Sequence, residues 1–184
     1  MDAPVASFLD RLASALSPVF SLDAAGAALS SLASDTDYFA PMIAQIDPAQ
    51  NGGFPIHVPE RGPRVFFLHR PRGVMSAVHS HGCWVAIACV AGNETHQTFA
   101  VSSSGATSLS SERVLAPGEV VTLMPPADVH SHGHRLRHGE VPYSLIMTGD
   151  DQLQFARREY DVASGTYRDL PPGEFGTLNL PAEE

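Results

Sequence analysis

The sequence predicts a mainly β protein, a sandwich or small barrel, preceded by short N-terminal α-helices. Three observations predict it. From Arg64 onward short apolar runs recur at regular spacing. Turns rich in glycine and proline separate those runs. Before residue 46 the apolar residues fall instead at helical spacing.

Val5 to Leu16 places Phe8, Leu9, Leu12 and Leu16 on one helical face, and Ser17-Pro18 ends the run. Leu22 to Leu32 is a second amphipathic stretch with Asp23 in its first turn, and Asp35 to Gln45 a third that starts at an Asp/Thr cap. Ile46 to Pro63 is broken by proline and glycine and reads as irregular chain or short edge strands. Strands are then expected at Val65–Leu68, Val74–His81, Trp84–Val90 and Glu94–Ala100, with turns at Pro71-Arg72-Gly73 and Ala91-Gly92-Asn93. Ser102 to Ser111 reads as a long hairpin loop. Further strands follow at Arg113–Leu115, Gly118–Met124, Tyr143–Thr148 and Gln154–Tyr160, before a proline-rich tail.

A chain of 184 residues with 43% hydrophobic residues fits one core. Residues 1–48 are expected to pack as a helical segment on a barrel formed by 49–184, the whole being a single structural domain. The net charge of −9 disfavours nucleic acid and anionic membrane as partners, because both select a basic face. All eleven basic residues are arginine, which excludes lysine Schiff-base and P-loop chemistry. Cys83 and Cys89 read as reduced core thiols rather than a disulfide framework. The first residues lack a basic signal-peptide region and no apolar run reaches spanning length, so the expected location is cytoplasmic.

Histidine is the informative residue. Five of the nine sit in two groups, His79 and His81, then His130, His132 and His134. Side chains at i and i+2 of a strand share a face, so His79 and His81 form a two-imidazole platform for a metal, and His130 can supply a third ligand from a distant strand. His132 and His134 follow the alternation of His130. His69, His96 and His138 carry no such pattern and read as surface or cross-strand residues. Imidazole donors suit Fe(II), Zn(II), Cu(II) or Ni(II).

These residues resemble the cupin superfamily. Gly73, five residues, His79-x-His81, three residues, position 85, six residues and Gly92 match the spacing of the first cupin motif, G(x)5HxH(x)3E(x)6G. Gly118, Pro125, Ala127 and His130 match the second more loosely. Val85 stands where the motif has its glutamate. Loss of that glutamate, with the string from His79 through Cys83-Trp84 to Gly92, is similar to the cysteine dioxygenase-like branch, especially its bacterial mercaptopropionate-type enzymes. The N-terminal helices and Arg157 to Gly165 extend the resemblance over most of the chain. It implies a double-stranded β-helix and Fe(II) held by His79, His81 and His130, with Zn, Ni or Cu as the other ions the donors suit. It also implies a reaction in which O2 is added to a small molecule.

Three departures bear on the substrate. The family's Ser-x-His-x-Tyr aligns with Ser144-Leu145-Ile146-Met147-Thr148, where only the serine matches. Its carboxylate-binding arginine falls in Phe54-Pro55-Ile56-His57, which has none, leaving Arg61 or Arg64 as substitutes. Ser144 and His132 are therefore the expected catalytic neighbours of the metal, and Arg64, Arg61, His57, Val85 and Thr148 the expected substrate-binding set. The first expectation is oxygenation of a thiol to a sulfinate. The alternatives are carbon–carbon cleavage of a diketone or hydroxyketone, and a non-catalytic metal- or ligand-binding cupin.

Overall fold

The computed structural model describes residues 2–17, 19–135, 140–150 and 154–171, and the backbone alone at 178–179. Three helices come first: α1 (Ala3–Leu16), α2 (Leu22–Ala33) and α3 (Thr36–Ile43). In α1 the buried residues are Val5, Phe8, Leu12 and Ala15, the spacing of one helical stripe. The Ser21 hydroxyl accepts from Ala24 N at 3.2 Å to start α2, and the Asp35 carboxylate accepts from Tyr38 N at 3.1 Å to start α3.

Thirteen strands follow among the described residues. They are β1 (Gly52–His57), β2 (Arg64–His69), β3 (Met75–Ser76), β4 (Val78–His79), β5 (Val85–Ala91), β6 (Glu94–Val101), β7 (Thr107–Leu115), β8 (Val120–Leu123), β9 (His130–Gly133), β10 (Tyr143–Thr148), β11 (Arg157–Asp161), β12 (Thr166–Leu170) and β13 (Leu178–Asn179). One antiparallel sheet has the order β1-β2-β10-β5-β8. The other runs β12-β11-β4-β9-β3-β13, with the β6–β7 hairpin joined to it through β9. The architecture is mainly β, two antiparallel sheets with three helices at the N-terminus, consistent with a jelly-roll.

The first sheet is buried on both faces, which explains why Val85 to Val90 is continuously apolar. Val65, Phe67, Ala86, Ala88, Val90, Leu145 and Met147 form one core with Phe8, Leu12, Leu29, Leu32 and Phe39 of the helices. Alternate residues Val85, Ile87, Cys89 and Ile146 form a second cluster with Val121 and with Leu115 of β7. Leu115 is paired with Glu94 across the hairpin, so this second cluster faces the interior between the sheets. Two glycines are needed for close approach: a Cβ on Gly92 (φ +73°) would collide with the Val141 carbonyl, and one on Gly133 (φ +148°) with the Val74 carbonyl.

Several elements differ from the sequence expectation. The run Val74–His81 is two short strands, because the register against β9 shifts between Met75↔Gly133 and His79↔His130. Four steps on one side face three on the other, a bulge, and His81 lies beyond the strand. The second half of the expected loop Ser102–Ser111 is strand: β7 starts at Thr107 and residues 102–106 form the tip. Its serines are exposed on both faces, so no apolar alternation marks it. The strand β9 carries the histidine cluster, and β12 lies in the tail. Pro55 sits in β1, an edge strand, where a missing donor is tolerated. No helix among the described residues is long and apolar enough to cross a membrane.

Candidate metal centre

His79 ends β4 and His130 opens β9, and the two are directly paired across the strands. Each ring turns back on the carbonyl two residues earlier. His79 Nδ1 donates to Ala77 O and His130 Nδ1 to Asp128 O, both at 2.8 Å. That fixes the tautomer and leaves Nε2 as the lone pair on each ring. His81 arrives from the following loop, its Nε2 3.2 Å from that of His79. Two nitrogens bound to one ion at about 2.1 Å with an angle near 100° lie about 3.2 Å apart. Donor atoms of His79, His81 and His130 all lie within 4.8 Å of one another. His130 Nε2 is buried and has no hydrogen-bond partner. A neutral imidazole nitrogen left unsatisfied in the interior is costly, and a metal ion is what this one is shaped to meet. A three-histidine group that could hold a metal is therefore present, and its donors fit one.

Burial sets the protonation. It lowers His79 to about 4, assisted by the charges of Arg70 and Arg157 against the hydrogen bond to Ala77. It lowers His130 well below the usual histidine range, with the surrounding histidines adding to the effect. Both are neutral ligands at pH 7. His81 is 3% exposed and His130 fully buried, whereas His79 is partly exposed and marks the side open to solvent.

Asp128 holds the two motif loops together. Its carboxylate accepts from His81 N at 2.8 Å and Gly82 N at 3.2 Å, while its carbonyl accepts the hydrogen bond from His130 Nδ1. It is 3% exposed and escaped the sequence reading, although it stands two positions before His130 inside the second motif. Asp128→Ala is expected to lower metal affinity by about 10- to 100-fold through His81, with His130 still oriented by the backbone. It should also cost about 2–3 kcal/mol of stability for two lost charge-assisted hydrogen bonds. Calorimetric metal titration beside urea unfolding checks both, and Asp128→Asn, which keeps an acceptor, should recover most of the affinity.

His132 is a neighbour of the centre, not a ligand. Its ring lies 5.6 Å from that of His130 and 6.4 Å from that of His79. Arg70 can only donate, so His132 Nε2 accepts from Arg70 Nη2 at 3.4 Å. The proton therefore sits on Nδ1, which donates to Glu94 Oε1 at 2.7 Å. Both nitrogens are used. Burial pushes the Glu94 carboxyl up to about 8 against the pull of Arg70, and pushes His132 well down. Ser144 joins this group: with Arg70, Glu94 and His132 it lines a cavity of about 10 Å3, the room one water needs. The sequence reading had Ser144 and His132 without Arg70 and Glu94. The alternation Glu94-x-His96-x-Thr98 was the available signal for a polar face turned inward.

The remaining expected residues lie on the other sheet. Arg64, Thr148 and Val85 form one row across β2, β10 and β5. That row faces the interior, since Val85 belongs to the aliphatic cluster there. Val85 is fully buried, so the glutamate position of the motif is an apolar contact. His57 closes the edge strand β1, where burial lowers its pKa, and Arg61 follows in the loop. The arginines whose charges reach His79 are Arg70 and Arg157, which the sequence did not single out. His69, expected at the surface or across a strand, is 2% exposed, contacts the Pro142 and Pro48 carbonyls at 3.1 and 3.2 Å, and stacks on Tyr143. His134 is buried just after β9, and His138 lies outside the described residues. His96, expected to be incidental, is 1% exposed and stacks on His130 with centroids 5.3 Å apart. It is paired with His132 across β6 and β9, and burial lowers its pKa to about 4.

No protein-family model matches the sequence, and no curated protein does. The likenesses are to solved structures. One is a structure of DMSP lyases, at 16% identity over 60% of this chain and 53% of that one, with a TM-score of 0.45. A second is a cupin superfamily protein from Desulfitobacterium hafniense DCB-2, at 12% identity over 58% and 84%, with a TM-score of 0.45. A third is oxalate decarboxylase from Bacillus subtilis, at 16% identity over 49% and 21%, with a TM-score of 0.38. The chain spans about half the length of the DMSP lyase chain it matches, 53%.

Proposed function

We propose that the chain is a mononuclear, three-histidine cupin enzyme that uses Fe(II) to add O2 to a small molecule, a thiol being the first candidate. The observation that carries this reading is the convergence of three imidazoles with no carboxylate oxygen in the donor group among the described residues. His79, His81 and His130 supply nitrogen only, and Val85 occupies the acidic position. Bound there, Fe(II) keeps its full 2+ charge and supplies O2 activation and thiolate ligation. The chain supplies the rest. His79 and His130 present fixed lone pairs, and Asp128 positions His81. Val85, Ile87 and Ile146 line the facing wall with hydrocarbon, which keeps water from a reactive centre. An anionic group on the substrate has no lysine to meet, so Arg64, on the interior row of that wall, is its proposed partner.

The overall reaction is RS⁻ + O2 → RSO2⁻, both oxygen atoms ending on sulfur. Protein loaded anaerobically with Fe(II) should consume one O2 per thiol oxidised and yield a sulfinate. A second reading is favoured by one observation: Ile146 and Thr148 replace the family's histidine and tyrosine, and the wall they share is apolar. That wall suits a diketone or hydroxyketone: with one O2 an α-hydroxyketone would give two carboxylic acids, and a β-diketone one carboxylic acid and an α-ketoaldehyde. Product analysis after exposure to a panel of both substrate classes separates the two. Bound iron with no O2 consumption by either class would favour a metal- or ligand-binding protein without oxygenase activity.

A further inference from the structure

His96 has no place in the ligand set, yet it is built into the centre. Its register partners put it on the inward face: Thr98, two residues on, is paired with His130, and His96 itself with His132. Its ring is nearly parallel to that of His130, 15° apart, and only 1% of the residue is exposed. Its Nε2 is buried without a hydrogen-bond partner. A leucine or phenylalanine would fill the same space without the cost of desolvating a ring nitrogen, about 1–3 kcal/mol. The unsatisfied Nε2 of His130, against which it stacks, is accounted for by the metal. That of His96 calls for a second species close by. His96 does not converge with His79 and His81 on the common donor group, so the metal itself is not that species.

We infer that His96 Nε2 hydrogen-bonds a small ligand held at an open position of the metal, so that it is a ligand-positioning residue and not a metal ligand. The inference rests on the metal-centre reading above. A neutral imidazole can donate to an anionic ligand or accept from a bound water or hydroxyl, whichever tautomer the ligand selects. The species it recognises is a compact heteroatom ligand, an anion, water or a substrate heteroatom, on the His130 side of the centre.

Co(II)-loaded protein and azide test it. Azide binding is followed by the change in the Co(II) visible spectrum for wild type, His96→Phe and His96→Gln. The expected result is Co(II) affinity within about threefold of wild type in both variants, azide affinity about tenfold weaker in His96→Phe, and near-wild-type azide affinity in His96→Gln, whose amide can donate. Equal azide affinity in wild type and His96→Phe overturns the inference, as does equal weakening in both variants, which would mark a packing role. Loss of Co(II) from His96→Phe overturns it in favour of a fourth ligand. If His96→Phe does not fold, His96→Leu takes its place in the same comparison. Failure of wild type to bind Co(II) at all would instead remove the metal-centre reading on which the inference stands.

Discussion

His130→Ala is expected to abolish specific metal binding. His130 supplies one of three donors, its Nδ1 proton is tied to Asp128 O, and its Nε2 has no other partner. A structural zinc site gains about 10–16 kcal/mol from its full ligand set, so one ligand is worth about 3 kcal/mol, or a hundredfold in affinity. In dilute metal that turns a loaded protein into an empty one. Wild type should also be stabilised by added metal, by about 2.7 kcal/mol at a hundredfold excess over Kd, and the variant should not be. His132→Ala gives the contrast. Both nitrogens of His132 are committed to Arg70 and Glu94, so metal should be retained within about tenfold. The price falls on stability, about 2–4 kcal/mol, because a buried carboxyl loses its partner. Metal content after gel filtration and thermal melts with and without metal check both variants. Metal loss in His132→Ala equal to that in His130→Ala would contradict the assignment of ligands.

Much of this arrangement was legible in the residues, for reasons that differ by element. The helices were visible because their stripes are apolar on one side only, as with Phe8 and Leu12. The strand β5 was visible because burial on two faces leaves no polar residue between Val85 and Val90. The metal histidines were visible because a local i, i+2 pair and a fixed spacing identify them without any knowledge of packing. What escaped notice depends on long-range pairing. β7 is solvent-facing almost to its end, and Leu115 alone turns into the core, so only Arg113–Leu115 reads as strand. The bulge between β3 and β4 is set by the register of β9, which no local pattern reports. Arg70 and Glu94 are separated in the chain by β3, β4 and β5, and only the fold brings both to His132. His96 looked incidental because a histidine outside a motif gives no sign of burial. His81 shows the reverse: the unbroken strand is not there, yet its ring joins the group of His79 and His130, because Asp128 holds its backbone.

The buried histidines also predict how the metal-free protein responds to acid. His79, His96, His130 and His132 are all held below their usual pKa by burial, His79 and His96 at about 4. In the unfolded chain each returns to about 6.5 and takes up a proton first as pH falls. Their contribution to stability is therefore complete above pH 6.5 and is lost as pH falls from 6.5 toward 4. For His79 and His96 the slope is about 1.4 kcal/mol per pH unit, so each costs about 2 kcal/mol by pH 5, and His130 and His132 act in the same direction. Glu94 acts in the opposite sense. Its folded pKa of about 8 lies above the ordinary carboxyl value, so it stabilises the fold increasingly as pH falls from 8 to about 4.5. That offsets about 2 kcal/mol over the same interval. Four histidines against one carboxyl leave a net loss of about 2 kcal/mol or more between pH 7 and pH 5, a large share of an ordinary domain's stability. Urea unfolding of metal-free protein should show its midpoint fall by about 1 M or more over that interval. His96→Gln, which removes one titrating group, should flatten the profile by that group's share, about 2 kcal/mol between pH 7 and pH 5. Metal added at pH 7 should raise the midpoint, and the gain should shrink with acidity as protons compete for the same Nε2 lone pairs of His79 and His130. A midpoint unchanged between pH 7 and pH 5 would mean that these rings exchange protons with solvent as freely in the fold as outside it.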